Sequence, residues 1–460
     1  MTAESLSKTR TLFVALRPAM LRGDSATVDR LCNDRTVDSL SAHHFFTCIS
    51  ELLRHEYLDA AGALLMRHSQ HHHDHRMFAA IRDVRRFAKE KAPDDPVVDR
   101  MTQLHSLIYG DDVPTPRQTG YAFLPLQEFP EAHWGTVSIG ASPAVPSVHI
   151  DRLRSDIDAF KEAMRGATDQ PVLEYTDVFL DRYGQVWNEA GCFAINAKRP
   201  IVHVDRASVP QIDIGMRAVV ATSGLYHWLV NLMPSLAWMV RDNVDPNLPI
   251  LISGDGPPFE TAALDLAGLG GNRLHLVSDV VFARRLISSP IGMRHLRGWD
   301  HVQPIFDQMI RSAEEKRGGQ IMPRRIYVSR TDARRRPMQN EAALQAAMAA
   351  RGFTVCVLSE LPLWEQVALF HHADVIIGPH GAGLANMVFT RPETRVVELI
   401  PIVAGAYKLR FNYLRLSMLR GLRHHAWLET QFAGSDQWTT DIPSFLEFVD
   451  TILAGLRESD

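Results

Sequence analysis

Cysteine is scarce in this chain. The 460 residues hold four (Cys32, Cys48, Cys192 and Cys356), widely spaced and with no CxxC pair. That excludes a disulfide scaffold, gives no zinc-site spacing and suits a reducing compartment. An excess of either charge is also lacking. The 49 basic and 53 acidic residues leave a net charge of −4, so there is no overall pull toward nucleic acid or anionic membranes. The opening MTAESLSKTR lacks the apolar core of a signal peptide. The longest charge-free stretch, 218–240, is long enough to span a bilayer. It contains Ser223, Gly224, His227, Asn231, Pro234 and Ser235, so it reads instead as a buried strand followed by a buried helix. No GxSxG elbow and no Walker A loop occur, and no acidic DxD pair stands beside a strand end. Asp156 and Asp158 fall within a predicted helix. The pairs Asp94-Asp95 and Asp111-Asp112 flank proline-rich turns and read as solvated.

What is present is the balance of an ordinary globular protein, 46% hydrophobic and 22% charged. The length predicts about three domains. Residues 1–112 read as a helical, hairpin- or repeat-like region, with apolar positions at helical spacing in 12–16, 45–53 and 58–65. Nine of the 21 histidines lie in the first 109 residues, five of them at His68, His71, His72, His73 and His75. Contiguous histidines point apart, so the 71–75 cluster reads as a solvated loop with incidental metal affinity. Prolines at 114, 116, 125 and 130 mark a boundary near 110–118.

Residues 118–315 then alternate strand and helix. Strands are predicted at 172–175, 201–204, 218–221, 250–253 and 274–277, and helices at 151–164, 225–240 and 259–269. Residues 316–460 read as a doubly wound, Rossmann-like sheet. Its strands are predicted at 325–329, 353–358, 374–378 and 396–400, its helices at 341–350, 363–372, 382–389 and 443–456.

Three places could carry chemistry. Gly378-Pro379-His380-Gly381-Ala382-Gly383 follows a buried strand and opens a helix. Glycines let the backbone approach an anion, and a helix start offers free N–H groups to a phosphate. The spacing is GxxGxG rather than GxGxxG, which disfavours a nicotinamide dehydrogenase. A tight strand-to-helix turn without ligand is the plainer alternative. Residues 324–336 hold six arginines against one acid, Asp332. Arginine forks suit a diphosphate; a solvated basic loop or a nucleic-acid patch fits the same run. His227 follows a predicted strand-to-helix turn at Ser223-Gly224 and shares a helix face with Asn231. It is either a core histidine or a base at a sheet rim.

Taken in order, Tyr327-Val328-Ser329-Arg330, Asp332-Ala333, Arg336, Asn340-Glu341, Glu365-Gln366, Leu369-Phe370, His380 to Asn386 and Val397-Glu398-Leu399 resemble the glycosyltransferase 61 family, also met in capsular polysaccharide biosynthesis proteins. His227-Trp228-Leu229 with Pro234 is similar to the family's other signature. The resemblance covers about 224–401. It implies a GT-B-like α/β fold, two Rossmann-like domains facing a cleft, behind the helical N-terminal region. It implies inverting transfer from a nucleotide-sugar donor to a saccharide or lipid-linked saccharide acceptor in surface-glycan synthesis. No cofactor is implied beyond the donor as co-substrate, and no metal held by DxD.

By the same resemblance Ser329, Arg330, Arg336, Asn340, His380, Gly381, Ala382, Gly383, Asn386 and Glu398 serve the donor, with Glu398 toward sugar or ribose hydroxyls. Trp228 and Asn231 lie on the acceptor side, and His227 is the base. Many relatives carry Asp or Glu where this chain has Asn231, so a base role at that position is lost. The expected partners are the donor and a glycan or lipid-linked acceptor, not nucleic acid. The helical region is expected to bind a protein partner or a second copy. The expected location is the bacterial cytoplasm, with peripheral contact at the inner membrane face. A non-catalytic nucleotide-sugar binder or scaffold with a decayed transferase domain is the alternative.

Overall fold

The computed structural model describes residues 15–457 except 35–36, 38–41, 69–74, 93, 110–113, 124–133, 166–170, 196, 198–203, 221–223, 242, 297–298, 334 and 404–410. The histidine run at 71–74 and most of the predicted strand 201–204 lie outside the described residues. The chain divides into two compact units. The first is Met1–Pro116 with Tyr175–Ile214 and Val277–Leu286; the second is Arg117–Glu174 with Gly215–Leu276 and Ile287–Asp460.

In the first unit the N-terminal region is helical, as its periodicity predicts. Helices run over Ser25–Cys32, Ala42–Arg54, Leu58–His68, His75–Lys91 and Pro96–Tyr109. Phe45, Ile49, Leu52, Ala61, Leu64, Leu65, Val84 and Met101 fill their common core. A helix stripe of this kind is held by burial rather than by propensity.

Fourteen strands are described. In chain order, β1 is Arg117–Gln118, β2 Val137–Ala141, β3 Leu173–Asp181, β4 Val186–Trp187, β5 Phe193–Ile195, β6 Gln211–Arg217 and β7 Ile250–Ser253. They continue with β8 Leu274–Val277, β9 Val280–Ser288, β10 Arg325–Val328, β11 Thr354–Cys356, β12 Val375–Pro379, β13 Arg395–Ile402 and β14 Arg423–Thr430. The β3–β4 and β4–β5 pairs are antiparallel. Connections of only a few residues permit no parallel crossover. Phe179, Trp187, Phe193, Val280 and Phe282 cluster there.

The second unit holds a six-stranded, all-parallel sheet in the order β11-β10-β12-β13-β14-β2. Its central strands are buried throughout: every residue of β12 and β13 is below the surface. This is the apolar texture of a parallel sheet covered on both faces. Gly352, at φ 78°, ends the helix Glu341–Ala349 and turns the chain into β11.

Three differences from the sequence expectation matter. Val137–Ala141, read from sequence as part of the middle α/β segment, is the edge strand of the C-terminal sheet, paired His424↔Val137 to Leu428↔Ala141. The strand expected at 218–221 lies earlier, at Gln211–Arg217. The helix expected at 225–240 is irregular: a π-helix over His227–Leu232 runs into a 3-10 helix over Met233–Val240. Pro234 explains the break, since it has no N–H to donate and its ring crowds the carbonyl four residues back. Among the described residues no helix is long and apolar enough to cross a membrane.

Candidate active site

The sheet delivers its functional side chains where β10 and β12 end, in the second unit. A cavity of about 330 Å³ opens there, lined by Ser329, Arg330, Gly381, Ala382 and Gly383, with Leu225 and Phe259 on its other wall. The carboxyl edge of a parallel sheet is the place where ligands bind in doubly wound folds.

Arg330 is fixed from several directions. Its backbone N–H donates to Glu341 Oε1 at 2.7 Å. Its guanidinium donates to the carbonyls of His380 and Arg335. Burial pushes its pKa down, while Tyr413, Glu341 and Asp332 push it up; an arginine in such surroundings stays cationic at neutral pH. Gly381 makes room beside it, and Gly383 makes room beside Leu358. A Cβ on Gly381 would stand 2.5 Å from Arg330 Nη1, and one on Gly383 2.8 Å from Leu358 Cδ1. Side chains thus approach the backbone of the turn closely, with Arg330 against the start of the helix Ala382–Phe389.

Behind the cavity, three titratable side chains meet out of water. His380 Nδ1 and Glu398 Oε1 are 2.5 Å apart, and His424 Nε2 is 3.2 Å from Glu398 Oε2. Their exposures are 5%, 0% and 1%. The register explains the meeting: Gly378 pairs with Glu398 and offers no side chain, and Val396 pairs with His424 on the same face. Burial lowers the pKa of both histidines, His424 to about 3, and raises that of Glu398. Desolvation thus drives the cluster toward neutral forms. Ser417 Oγ stands 2.8 Å from His424 Nδ1. The Tyr413 ring lies 4.9 Å from that of His380, and the Tyr226 ring meets Tyr413 edge-on at 5.5 Å.

His227 opens the π-helix, one residue after Tyr226. It is half-buried, and desolvation lowers its pKa below the ordinary histidine value. Its Nδ1 is 3.1 Å from Asn231 Nδ2. Gly224, at φ 149°, sits just before, in backbone territory closed to other residues.

The expected donor residues therefore separate. Ser329, Arg330, Gly381, Ala382 and Gly383 line the cavity. Arg336 stands at φ 56°, and its charge acts on His380, Glu398 and Tyr413, which places it on the same side as Arg330. The others lie behind. Glu398 sits in mid-strand rather than at a strand end, because β13 continues to Ile402. Asn386 is fully buried and donates to Gln366 Oε1 and the Gly383 carbonyl, so it braces the turn. Asn340 exchanges two hydrogen bonds with the backbone of Thr440. On the acceptor side, Trp228 is 1% exposed and belongs to the core. Sequence reasoning missed the roles of Glu341, Tyr413 and His424, whose contacts depend on register and on packing between elements.

Comparison with known proteins follows the same residues. Residues 225–397 match the family described as Glycosyltransferase 61. That match covers 173 of the 460 residues. It begins two residues before His227 and ends one residue before Glu398. Two curated relatives come from Oryza sativa subsp. japonica. Beta-1,2-xylosyltransferase XAX1 is 32% identical over 130 residues, 26% of this chain and 22% of that protein. Beta-1,2-xylosyltransferase RCN11 is 31% identical over 86 residues, 19% of this chain and 15% of that protein. The chain thus covers less than a quarter of the length of either relative. Both relatives are plant proteins, so these matches do not carry a bacterial capsule setting. The matched stretch contains all of the cavity-lining residues named above.

Proposed function

We propose that this protein is an inverting glycosyltransferase that moves a sugar from a nucleotide-sugar donor to a saccharide or lipid-linked saccharide acceptor, within a GT-B-like pair of Rossmann-like lobes. The observation that carries the reading is Arg330 held against the glycine-built helix start at 381–383, on the wall of the cavity. A cation beside a helix start suits a diphosphate that gains charge as it leaves. The xylosyltransferase names of the relatives favour a pentose donor over a hexose donor.

In this mechanism His227 Nε2 takes the proton of the acceptor hydroxyl. The hydroxyl oxygen forms its bond to the anomeric carbon from the face opposite the leaving group. The bond from that carbon to the phosphate oxygen breaks, and the nucleoside diphosphate leaves with the electron pair. Arg330, Arg336 and the N–H groups at 381–383 stabilise it. These cations take the part that a divalent metal plays in other transferases, so no resident metal is assigned. The protein works in the cytoplasm, at the membrane face where lipid-linked acceptors are presented.

A thermal-shift screen with UDP-, GDP-, CMP- and dTDP-sugars tests the donor class. A bound donor at 100 times its Kd stabilises the native state by about 2.7 kcal/mol. One nucleotide series is expected to raise Tm by several degrees, equally with and without EDTA. A new glycosidic bond is expected in the product, again with EDTA present. Donor binding with neither transfer nor hydrolysis would mark a non-catalytic binder, and loss of transfer in EDTA would refute the metal-free mechanism. His227→Ala is expected to lower turnover about 100- to 10,000-fold, the usual worth of a general base. Near-native turnover in that variant would remove His227 from the mechanism.

A further inference from the structure

One contact at this site constrains the base more tightly than its position does. The Asn231 amide nitrogen stands 3.1 Å from His227 Nδ1. An NH2 group facing Nδ1 leaves that nitrogen as acceptor, so the neutral ring carries its proton at Nε2. Such a ring donates at Nε2 and cannot take a proton there. A half-turn of the same amide brings Oδ1 to the same place, draws the ring proton to Nδ1 and leaves Nε2 bare. The two amide orientations have the same shape, so packing does not choose between them.

We propose that Asn231 is a positioning residue that sets which nitrogen of His227 holds the ring proton, the half-turn of its amide converting the ring from a donor at Nε2 to a base at Nε2. The proposal rests on the base role given to His227 above, but its first readout does not. Few other groups can set the tautomer. Tyr226 is adjacent, and burial pushes its phenol up to about 12, so it stays neutral. Tyr413 meets Tyr226 rather than His227, and Arg415 acts on Tyr226. His295, on the short helix Met293–Leu296 packed against the π-helix, is buried and neutral at pH 7, its pKa pushed down to about 4. Asn231 is itself tethered there, since its backbone carbonyl accepts the N–H of Gly292 at 3.1 Å.

The test uses the full chain labelled with 15N-histidine, together with Asn231→Asp and Asn231→Leu. A carboxylate can only accept, so Asn231→Asp is expected to place the proton at Nδ1 and raise the ring pKa by about one unit. Leucine removes the partner, and the ring is expected to keep its proton at Nε2. With a donor and acceptor that support transfer, Asn231→Asp should keep kcat while the acid limb of its kcat/KM profile moves up by about one pH unit. Asn231→Leu should lose tenfold or more at every pH, with its thermal melt unchanged. If both variants show the same tautomer and pH profile, Asn231 sets nothing and the proposal fails. If the tautomers separate but His227→Ala still transfers at full rate, the proposal stands and the base assignment falls.

Discussion

Replacing Arg330 by alanine is expected to lower kcat/KM for transfer about 100- to 1,000-fold, or 2.7–4 kcal/mol of transition-state stabilisation. That is the usual worth of one preorganised donor aimed at developing charge. The expectation follows from how the side chain is held. The carbonyls of His380 and Arg335 take two of its N–H groups, Gly381 makes room for its plane, and Glu341 pins its backbone. In the proposed mechanism the guanidinium would meet the leaving phosphate already oriented, so its charge would act without reorganisation. Arg330→Lys keeps a charge but loses the planar fork, and is expected to recover only part of the loss. Arg324 supplies the control. It pairs with Asp374 at 2.8 Å, stands exposed and lies at the opposite end of β10; Arg324→Ala is expected to transfer at the native rate. A folded Arg330→Ala enzyme with more than a third of native kcat/KM would exclude Arg330 from the donor site.

The parts of this site legible in the sequence are those with a local cause. The apolar run before Gly378 predicts β12, and the helices 363–372 and 382–389 are found with the same bounds. The glycine turn and the arginine run point to the carboxyl edge, where the cavity lies. The unread parts have causes at a distance. Strand β14, RHHAWLET, carries charges and two histidines and gives no apolar alternation, yet it is a central strand because β2 covers its far side. In β9 the pair Arg284-Arg285 is exposed between buried flanks, which breaks the period of two. The meeting of His380, Glu398 and His424 depends on which residue of β13 faces Gly378. Register of that kind is fixed by packing along whole strands, not by a motif.

Those buried histidines carry the second large effect, on stability. His424 is 1% exposed with its pKa pushed down to about 3; His295 is 2% exposed with its pKa pushed down to about 4. His295 Nε2 donates to the Pro290 carbonyl at 2.5 Å, and its ring stacks among Phe123 and His301. A proton added to either ring would be a charge without solvent. Depressed pKa values stabilise the fold above the unfolded value near 6.5, and that stability is lost as pH falls below it, because only the unfolded chain then takes up protons. Each histidine costs about 1.4 kcal/mol per pH unit in that range. Between pH 6.5 and 5 the pair is expected to remove about 3 kcal/mol, a large share of the 5–15 kcal/mol typical of a folded domain. Urea unfolding at pH 7, 6 and 5 measures it, with the midpoint falling steeply below pH 6.5. His424→Asn removes one titrating ring, and its slope is expected to flatten by about 1.4 kcal/mol per pH unit even though the variant starts less stable. Equal stability at pH 7 and pH 5 in the native chain would mean that these rings take up protons in the folded state. The directions given above for His380 and Glu398 would then be wrong as well, because they have the same cause, desolvation.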